Sequence, residues 1–216
     1  TETMNIAVIG TGNVGGALAS QWAKSGHNVI LGVRDVNNFK GQHLLQQKGI
    51  SALPIQQATQ KAEVILIAAV PPATESIVKE LGDVSGKVII DAMNSVRTKP
   101  DGYNNSFEAL KALCPSAEVI KCFNTTGFEN MQNPTYHLTT PVEHDVKLDM
   151  FVAGSSTRGK EVAKQLSDDA GFGNCYDFGG DDKAALLEQF ALSWINLAIM
   201  QGHGRNIGFK VIKRQG

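Results

Sequence analysis

The 216-residue sequence predicts a doubly wound α/β domain on a mostly parallel sheet, the Rossmann architecture of NAD(P)-binding proteins, with a small C-terminal helical extension. Three observations predict it. Short apolar runs at 6–9, 29–31, 64–70 and 87–91 alternate with helical patterns, and none shows the apolar–polar alternation of a half-exposed strand. The first run leads into Gly10-Thr11-Gly12-Asn13-Val14-Gly15, a glycine turn between strand and helix. The second strand ends in Val33-Arg34-Asp35, about twenty residues past that turn, where such folds place their ribose-reading residue.

Each element then follows in order. Gly10 makes the tight turn, Gly12 lets the backbone approach a ligand, and Gly15 lets the helix pack on the strand. The helix starts at Asn13 and carries Val14, Leu18 and Trp22 on one face. Its open N–H groups and positive dipole end suit a pyrophosphate, so the stretch predicts a dinucleotide. Residues 25–28 stop the helix. Short helices are expected over 42–48 and 56–61, with an edge segment at 51–54 between them. The strand at 64–70 ends at Pro71-Pro72, which forces an extended loop at its carboxyl end. Further helices are expected at 74–81, 105–113 and 158–170, and strands at 118–123, 149–153 and 174–178. The segment 132–147 reads as a long exposed loop, and 181–203 as one long helix whose apolar residues cover more than one face. The whole of 1–216 is expected to be a single domain, with 181–216 a C-terminal helix and tail packing on it or on a second subunit.

Composition narrows the function. A net charge of -1 gives no electrostatic reason for nucleic acid or an anionic membrane. Cys114, Cys122 and Cys175 form no CxxC pair, which fits a reducing cytoplasm, and neither a metal site nor a disulfide framework is expected. The first strand begins within about five residues of the start, leaving no room for a signal peptide ahead of it. The apolar segment 184–200 is too short and too polar to span a membrane.

Right-handed crossovers bring the carboxyl ends of the strands to one edge. The candidate cofactor residues there are Gly10, Thr11, Gly12, Asn13, Val14, Val33, Arg34, Ala69, Val70, Pro71, Met93, Asn94, Asn124 and Thr125. Arg34, with Lys40 nearby, suits a 2′-phosphate, Asp35 suits a free 2′-hydroxyl, and the third reading makes Arg34 a solvated charge. Amide and hydroxyl groups line the rest of the edge. No His or Lys is expected at those strand ends, Asp91 has no visible partner, and no catalytic acid or base is assigned. Cys122 reads as core, His137 and His144 as solvated loop residues, and His203 as a helix cap. Such an edge suits hydride transfer between stacked rings, governed by positioning.

Four stretches carry a family resemblance: 9–15, 29–34, 121–125 and the closing 197–210. The chain resembles the NADP oxidoreductases dependent on the deazaflavin coenzyme F420, and the related cytosolic reductase domain of metalloreductases. The resemblance implies an NADP(H)-binding fold in which Thr11 to Val14 hold the pyrophosphate and Arg34 the 2′-phosphate. The Pro71 and Asn124 loops then hold the nicotinamide end. Val33 stands where the family usually has Ser or Thr, so one hydroxyl contact is missing. The implied activity is hydride transfer between NADP(H) and a small-molecule acceptor, F420 or a flavin such as FMN or FAD, in a cytoplasmic homodimer. The alternatives are an NADP(H)-binding redox sensor without turnover and a small dehydrogenase or imine reductase. The last calls for a large second helical domain, and the chain after Gly127 is short for one.

Overall fold

The computed structural model describes residues 2–216. Its first half contains β1 (Asn5–Ile9), α1 (Asn13–Lys24), β2 (Asn28–Val33), β3 (Ile50–Pro54), α2 (Ile55–Lys61), β4 (Val64–Ile67), α3 (Thr74–Leu81) and β5 (Val88–Asp91). The second half contains α4 (Ser106–Leu113), β6 (Glu118–Cys122), α5 (Phe128–Gln132), β7 (Thr135–Leu138), β8 (His144–Lys147), β9 (Met150–Ala153), α6 (Thr157–Asp169), β10 (Cys175–Gly179) and α7 (Ala184–Ile195). The main sheet runs β3-β2-β1-β4-β5-β6-β9-β10. Its first six strands are parallel, in the order of a dinucleotide-binding fold. Strand β9 turns antiparallel to β6, and β10 is parallel to β9.

The continuous apolar runs bury both faces of the central strands. One face packs Leu18 and Trp22 of α1 and Ala163 and Leu166 of α6 on the even-numbered residues of β1 and β4. The other packs Ala58, Ile77, Leu81, Phe107 and Leu110 from α2, α3 and α4 on the odd-numbered ones. Trp22 is fully buried, donates from Nε1 to the Leu166 carbonyl at 2.8 Å and meets the Phe123 ring edge-on at 5.6 Å. It thus ties the first helix to the last third of the sheet.

The register aligns Gly32, Ile9, Ile67, Asp91 and Lys121 in one row across five strands. The turns after that row form the carboxyl edge, where Gly10, Pro71, Asn94 and Asn124 were expected to meet.

Three expectations are corrected. The segment 132–147 contains the antiparallel hairpin β7–β8. Its strands are four residues each and carry His, Asp, Thr and Lys on an exposed surface, so no apolar pattern announces them. The long helix is shorter than 181–203. A single turn at Asp181–Lys183 precedes α7, and a π-helical turn at Asn196–Met200 ends it. His203 lies beyond that end and closes it through its backbone, whose N–H donates to the Leu197 carbonyl at 3.1 Å, and the glycines at 202 and 204 both take positive φ. Strand β4 stops at Ile67, three residues before the expected end, because Ala68 and Ala69 turn against Gly10.

The C-terminal extension lies on the far end of the sheet. Phe190 of α7 contacts Phe151, Phe178 and Phe209 with ring centroids 4.9, 5.7 and 4.5 Å away. Tail residues follow β9: Asp149 donates its N–H to the Phe209 carbonyl at 2.9 Å and accepts from the Val211 N–H at 2.8 Å. No helix of the described residues is long and apolar enough to cross a membrane.

Trp22→Phe is expected to keep the fold but remove the indole hydrogen bond to the Leu166 carbonyl, which keeps its bond from the Ala170 N–H. The hydrogen-bond loss is about 0.5–1.5 kcal/mol in urea unfolding monitored by circular dichroism.

Candidate functional site

The glycine turn shows three different constraints. Gly10 has φ +95°, and a Cβ there would lie 2.5 Å from the Ala68 carbonyl oxygen. At Gly15 a Cβ would stand 1.8 Å from the Gly10 carbonyl oxygen, so α1 can rest on β1 only with hydrogen at that position. Gly12 is different: a Cβ there would meet only the Lys40 ammonium, at 3.9 Å. The space over Gly12 is open, and it lies at the start of α1, whose N-cap has no side-chain hydrogen bond and whose first turn has no acidic residue. Helices α4 and α6, by contrast, are capped by Asn105 and Ser156. Open donors, a positive dipole end and a nearby ammonium make an anion cradle at 11–14. Thr11 donates its hydroxyl to the Lys40 carbonyl, which holds the 35–41 loop against the cradle. Asn13 is exposed there and Val14 packs half-buried on the core.

Beside the cradle lies a cavity of about 300 Å³ lined by Gly10, Thr11, Val33, Arg34, Ala69 and Ile77, among others. Its walls are largely apolar, and Arg34 and Asp35 stand together at its rim. Arg34 donates from Nε to both Glu80 carboxylate oxygens at 3.2 Å and from Nη2 to the Ser76 hydroxyl at 3.1 Å. Asp35 accepts from the Asn37 N–H at 3.0 Å and so shapes the turn. Val33 is buried, and the hydroxyl beside the Arg34 guanidinium is that of Ser76 on α3, a residue the sequence reading did not single out.

Across the edge, Val70 is exposed, Pro71 and Met93 are buried, and Asn94 is half-buried. Asn124 donates from Nδ2 to the Asn94 side-chain oxygen and to the Leu187 carbonyl, both at 3.1 Å. Its own amide oxygen is buried with no hydrogen-bond partner among the described residues. Phe123, just before it, holds φ 68°, which costs a non-glycine residue about 1–2 kcal/mol. Burial against Trp22 keeps it there while the chain turns Asn124 toward Asn94. Thr125 is buried behind them, its hydroxyl 3.8 Å from the Met150 sulfur.

Beneath this edge sits a cluster that sequence reasoning missed. Lys121 lies beside Asp91 in register and is fully buried, which corrects the expectation that no lysine reaches these strand ends. A lone lysine in a five-residue strand reads as solvent-facing until the register is known. Its ammonium lies 3.0 Å from Asp91 Oδ2, 2.5 Å from Glu188 Oε1 and 2.7 Å from the Met93 carbonyl. Asp91 also accepts from the Met93 N–H and the Ser106 hydroxyl, and Glu188 from the Ser95 N–H at 2.7 Å. Burial presses the Lys121 pKa down, but Asp91 and Glu188 outweigh it and the net shift is upward. The ammonium stays charged: it donates to Asp91 Oδ2 and to the Met93 carbonyl, and Glu188 Oε1 faces it as an ion pair without a hydrogen bond.

The remaining titratable groups have ordinary surroundings. Burial pushes the Cys114 thiol up to about 11, and burial and the neighbouring Cys175 push Cys122 well above its usual range. His137 sits on the exposed hairpin between Asp145 at 2.8 Å and Glu143 at 3.0 Å, whose hydrogen bonds raise its pKa.

Comparison with known proteins agrees with this geometry. The family described as "NADP oxidoreductase coenzyme F420-dependent" matches residues 5–95, from the start of β1 to the loop after β5. The match takes in β1 to β5 and the glycine turn. An F420-dependent NADP reductase of Methanothermobacter thermautotrophicus is 27% identical, with 96% of this chain and 94% of that one covered. A crystal structure of a candidate F420-dependent NADP reductase from Arthrobacter sp. FB24 covers 97% of this chain and 100% of its own, with TM-score 0.81 and 24% identity. A reductive aminase from Aspergillus terreus, in complex with NADPH and ethyl-5-oxohexanoate, shares the fold at TM-score 0.67 and 20% identity, over 93% of this chain and 64% of its own.

The glycines separate folding from binding. Gly15→Ala is expected to prevent stable folding or to cost more than about 4 kcal/mol. Gly12→Ala is expected to unfold within about 0.5 kcal/mol of the wild type and to lose nucleotide binding measured by calorimetry.

Proposed function

We propose that this protein is an NADP(H)-dependent oxidoreductase that passes hydride between the nicotinamide and a flavin-like acceptor, F420 or a flavin. The observation that carries the reading is the pairing of an open cradle over Gly12 with a basic rim at Arg34 and Ser76. The orphaned amide oxygen of Asn124 supports it, since a carboxamide N–H is the partner it lacks. When bound, NADP(H) supplies or accepts the hydride at its ring.

The chain's own residues would act by holding. The first-turn N–H groups of 11–14 take the pyrophosphate, Arg34 the 2′-phosphate, and the loops at 69–71, 93–94 and 124–125 the nicotinamide end. No side chain carries a proton in this reading. Lys121, buried beneath the edge, is held by hydrogen bonds to Asp91 and the Met93 carbonyl and by the charge of Glu188. Hydride transfer between two rings needs no proton carrier, whereas reducing a carbonyl or imine does, and this disfavours the dehydrogenase or imine-reductase reading.

Assays of NADPH oxidation with F420, FMN, FAD and ferric chelates test the reading. Turnover with F420 or a flavin supports it, and nucleotide binding without turnover by any acceptor leaves the redox-sensor reading in its place. The Arg34→Ala variant is expected to lose ten- to a hundredfold in NADPH affinity by calorimetry while NADH is unaffected, the value of about 1.5–3 kcal/mol for a charge-assisted phosphate contact.

The assembly we propose is a cytoplasmic homodimer with α7 at its interface. Leu186, Ile199 and Met200 are about half exposed or more, at 51%, 47% and 67%, on a helix otherwise committed to the sheet. Light scattering at micromolar concentration is expected to give twice the 23.1 kDa chain mass.

A further inference from the structure

The cluster beneath the nicotinamide edge has one carboxylate more than its stability requires. One ammonium and one carboxylate make a neutral pair. Here a single ammonium lies between two carboxylates, all three nearly or fully inaccessible, with Asp91 and Lys121 at 0% and Glu188 at 5% exposure. Both acids are acceptors only: Asp91 faces an ammonium, an N–H and a hydroxyl, and Glu188 an ammonium and an N–H. Each of the four carboxyl oxygens faces an N–H or the ammonium, the surroundings of carboxylates, and two carboxylates around one ammonium carry one net negative charge. Burying an unbalanced charge is costly and adds nothing to stability that the neutral pair does not supply. Other ion pairs nearby, Arg205–Glu129 and Lys111–Asp181, are neutral pairs at the surface.

The surplus charge also has a definite address. Lys121 is bonded to the Met93 carbonyl, Glu188 to the Ser95 N–H, and the Asn124 amide to the carbonyl of Leu187, the residue before Glu188. Met93, Asn94 and Asn124 are the groups assigned above to the nicotinamide end, so this inference rests on that assignment. We propose that the excess charge of the Asp91–Lys121–Glu188 cluster favours the cationic nicotinamide of NADP+ over the neutral ring of NADPH. Hydride leaves the dihydronicotinamide with both electrons of its C–H bond, the ring is oxidised and gains one positive charge, and the acceptor ring is reduced by the same pair. A fixed negative charge in a water-excluded site stabilises that developing charge, so the cluster strengthens bound NADPH as a hydride donor.

The test compares binding of two ligands that differ only at the ring. Calorimetric titrations of the wild type, Glu188→Gln and Asp91→Asn with NADP+ and with NADPH, at one ionic strength, give the ratio Kd(NADP+)/Kd(NADPH). Adenosine, phosphates and carboxamide cancel in that ratio. Each substitution keeps an acceptor oxygen and removes the surplus charge, so the ratio is expected to rise about three- to tenfold in either variant. If Glu188→Gln does not fold, Asp91→Asn carries the same expectation. Affinities that fall together at a fixed ratio make the cluster a mere support for the loop and overturn the inference. A falling ratio overturns it as well. A wild type that binds neither nucleotide removes the NADP(H) reading itself, and this inference with it.

Discussion

The ammonium of Lys121 is the point on which the site depends. It is fully buried, donates to Asp91 on β5 and to the Met93 carbonyl in the loop after β5, and pairs with the Glu188 carboxylate on α7. Through them a strand end, a cofactor-edge loop and the C-terminal helix share one buried cation. Removing either partner of such a pair costs about 3–5 kcal/mol, because the other is left charged and dry. The edge is therefore rigid, and its hydrogen-bonding groups are set before a ligand arrives. Asn94, Asn124 and Leu187 are joined on the same frame, so the C-terminal extension completes the carboxyl edge of the sheet.

The adenosine side is built on the opposite plan. Arg34 is 61% exposed along its side chain and Glu80, its partner, 39%. A pair that wet contributes about 0–1 kcal/mol. A 2′-phosphate offers the same guanidinium a doubly charged acceptor worth about 1.5–3 kcal/mol. By these magnitudes Glu80 holds the guanidinium at the rim without locking it. The two ends of the candidate site thus differ: the charge of Arg34 is free to change partners, and that of Lys121 is not.

These differences explain what could be read from the sequence. Strands β1, β2, β4 and β5 were legible because burial on both faces leaves continuous apolar runs, and the glycine turn was legible because sterics at Gly10 and Gly15 permit one residue type. The hairpin β7–β8 was not, since an exposed ribbon of polar residues has no apolar period to show. Arg34 was found by its distance from the glycine turn, whereas Ser76 and Glu80 come from α3, and only the packing of α3 beside β2 places them. Lys121 shows the limit most clearly. Its neighbours Val119, Ile120 and Cys122 announced a buried strand, yet its charge made it look like the solvated member of that run. Its partner Glu188 lies 67 residues further on, in a helix whose apolar positions drew attention away from its one buried acid.

The placement of Glu188 bears on how such a domain acquires an activity. The family match covers residues 5–95, which contain the cradle, the adenosine cavity, Arg34 and Asp91. Both Lys121 and Glu188 lie outside it. The glycine turn and the strand order of the candidate site are written in the first half of the chain. The charges beneath its edge are completed in the second half, by a cation on β6 and an anion on α7 that meet only in the fold. With β1 to β5 alone, Asp91 would end its strand without an ionic partner. Strand β6 supplies that partner in Lys121, and α7 adds Glu188, bonded to the Ser95 N–H and paired with the same ammonium. The geometry of the glycine turn is therefore local, and the electrostatics of the edge depend on what packs against it.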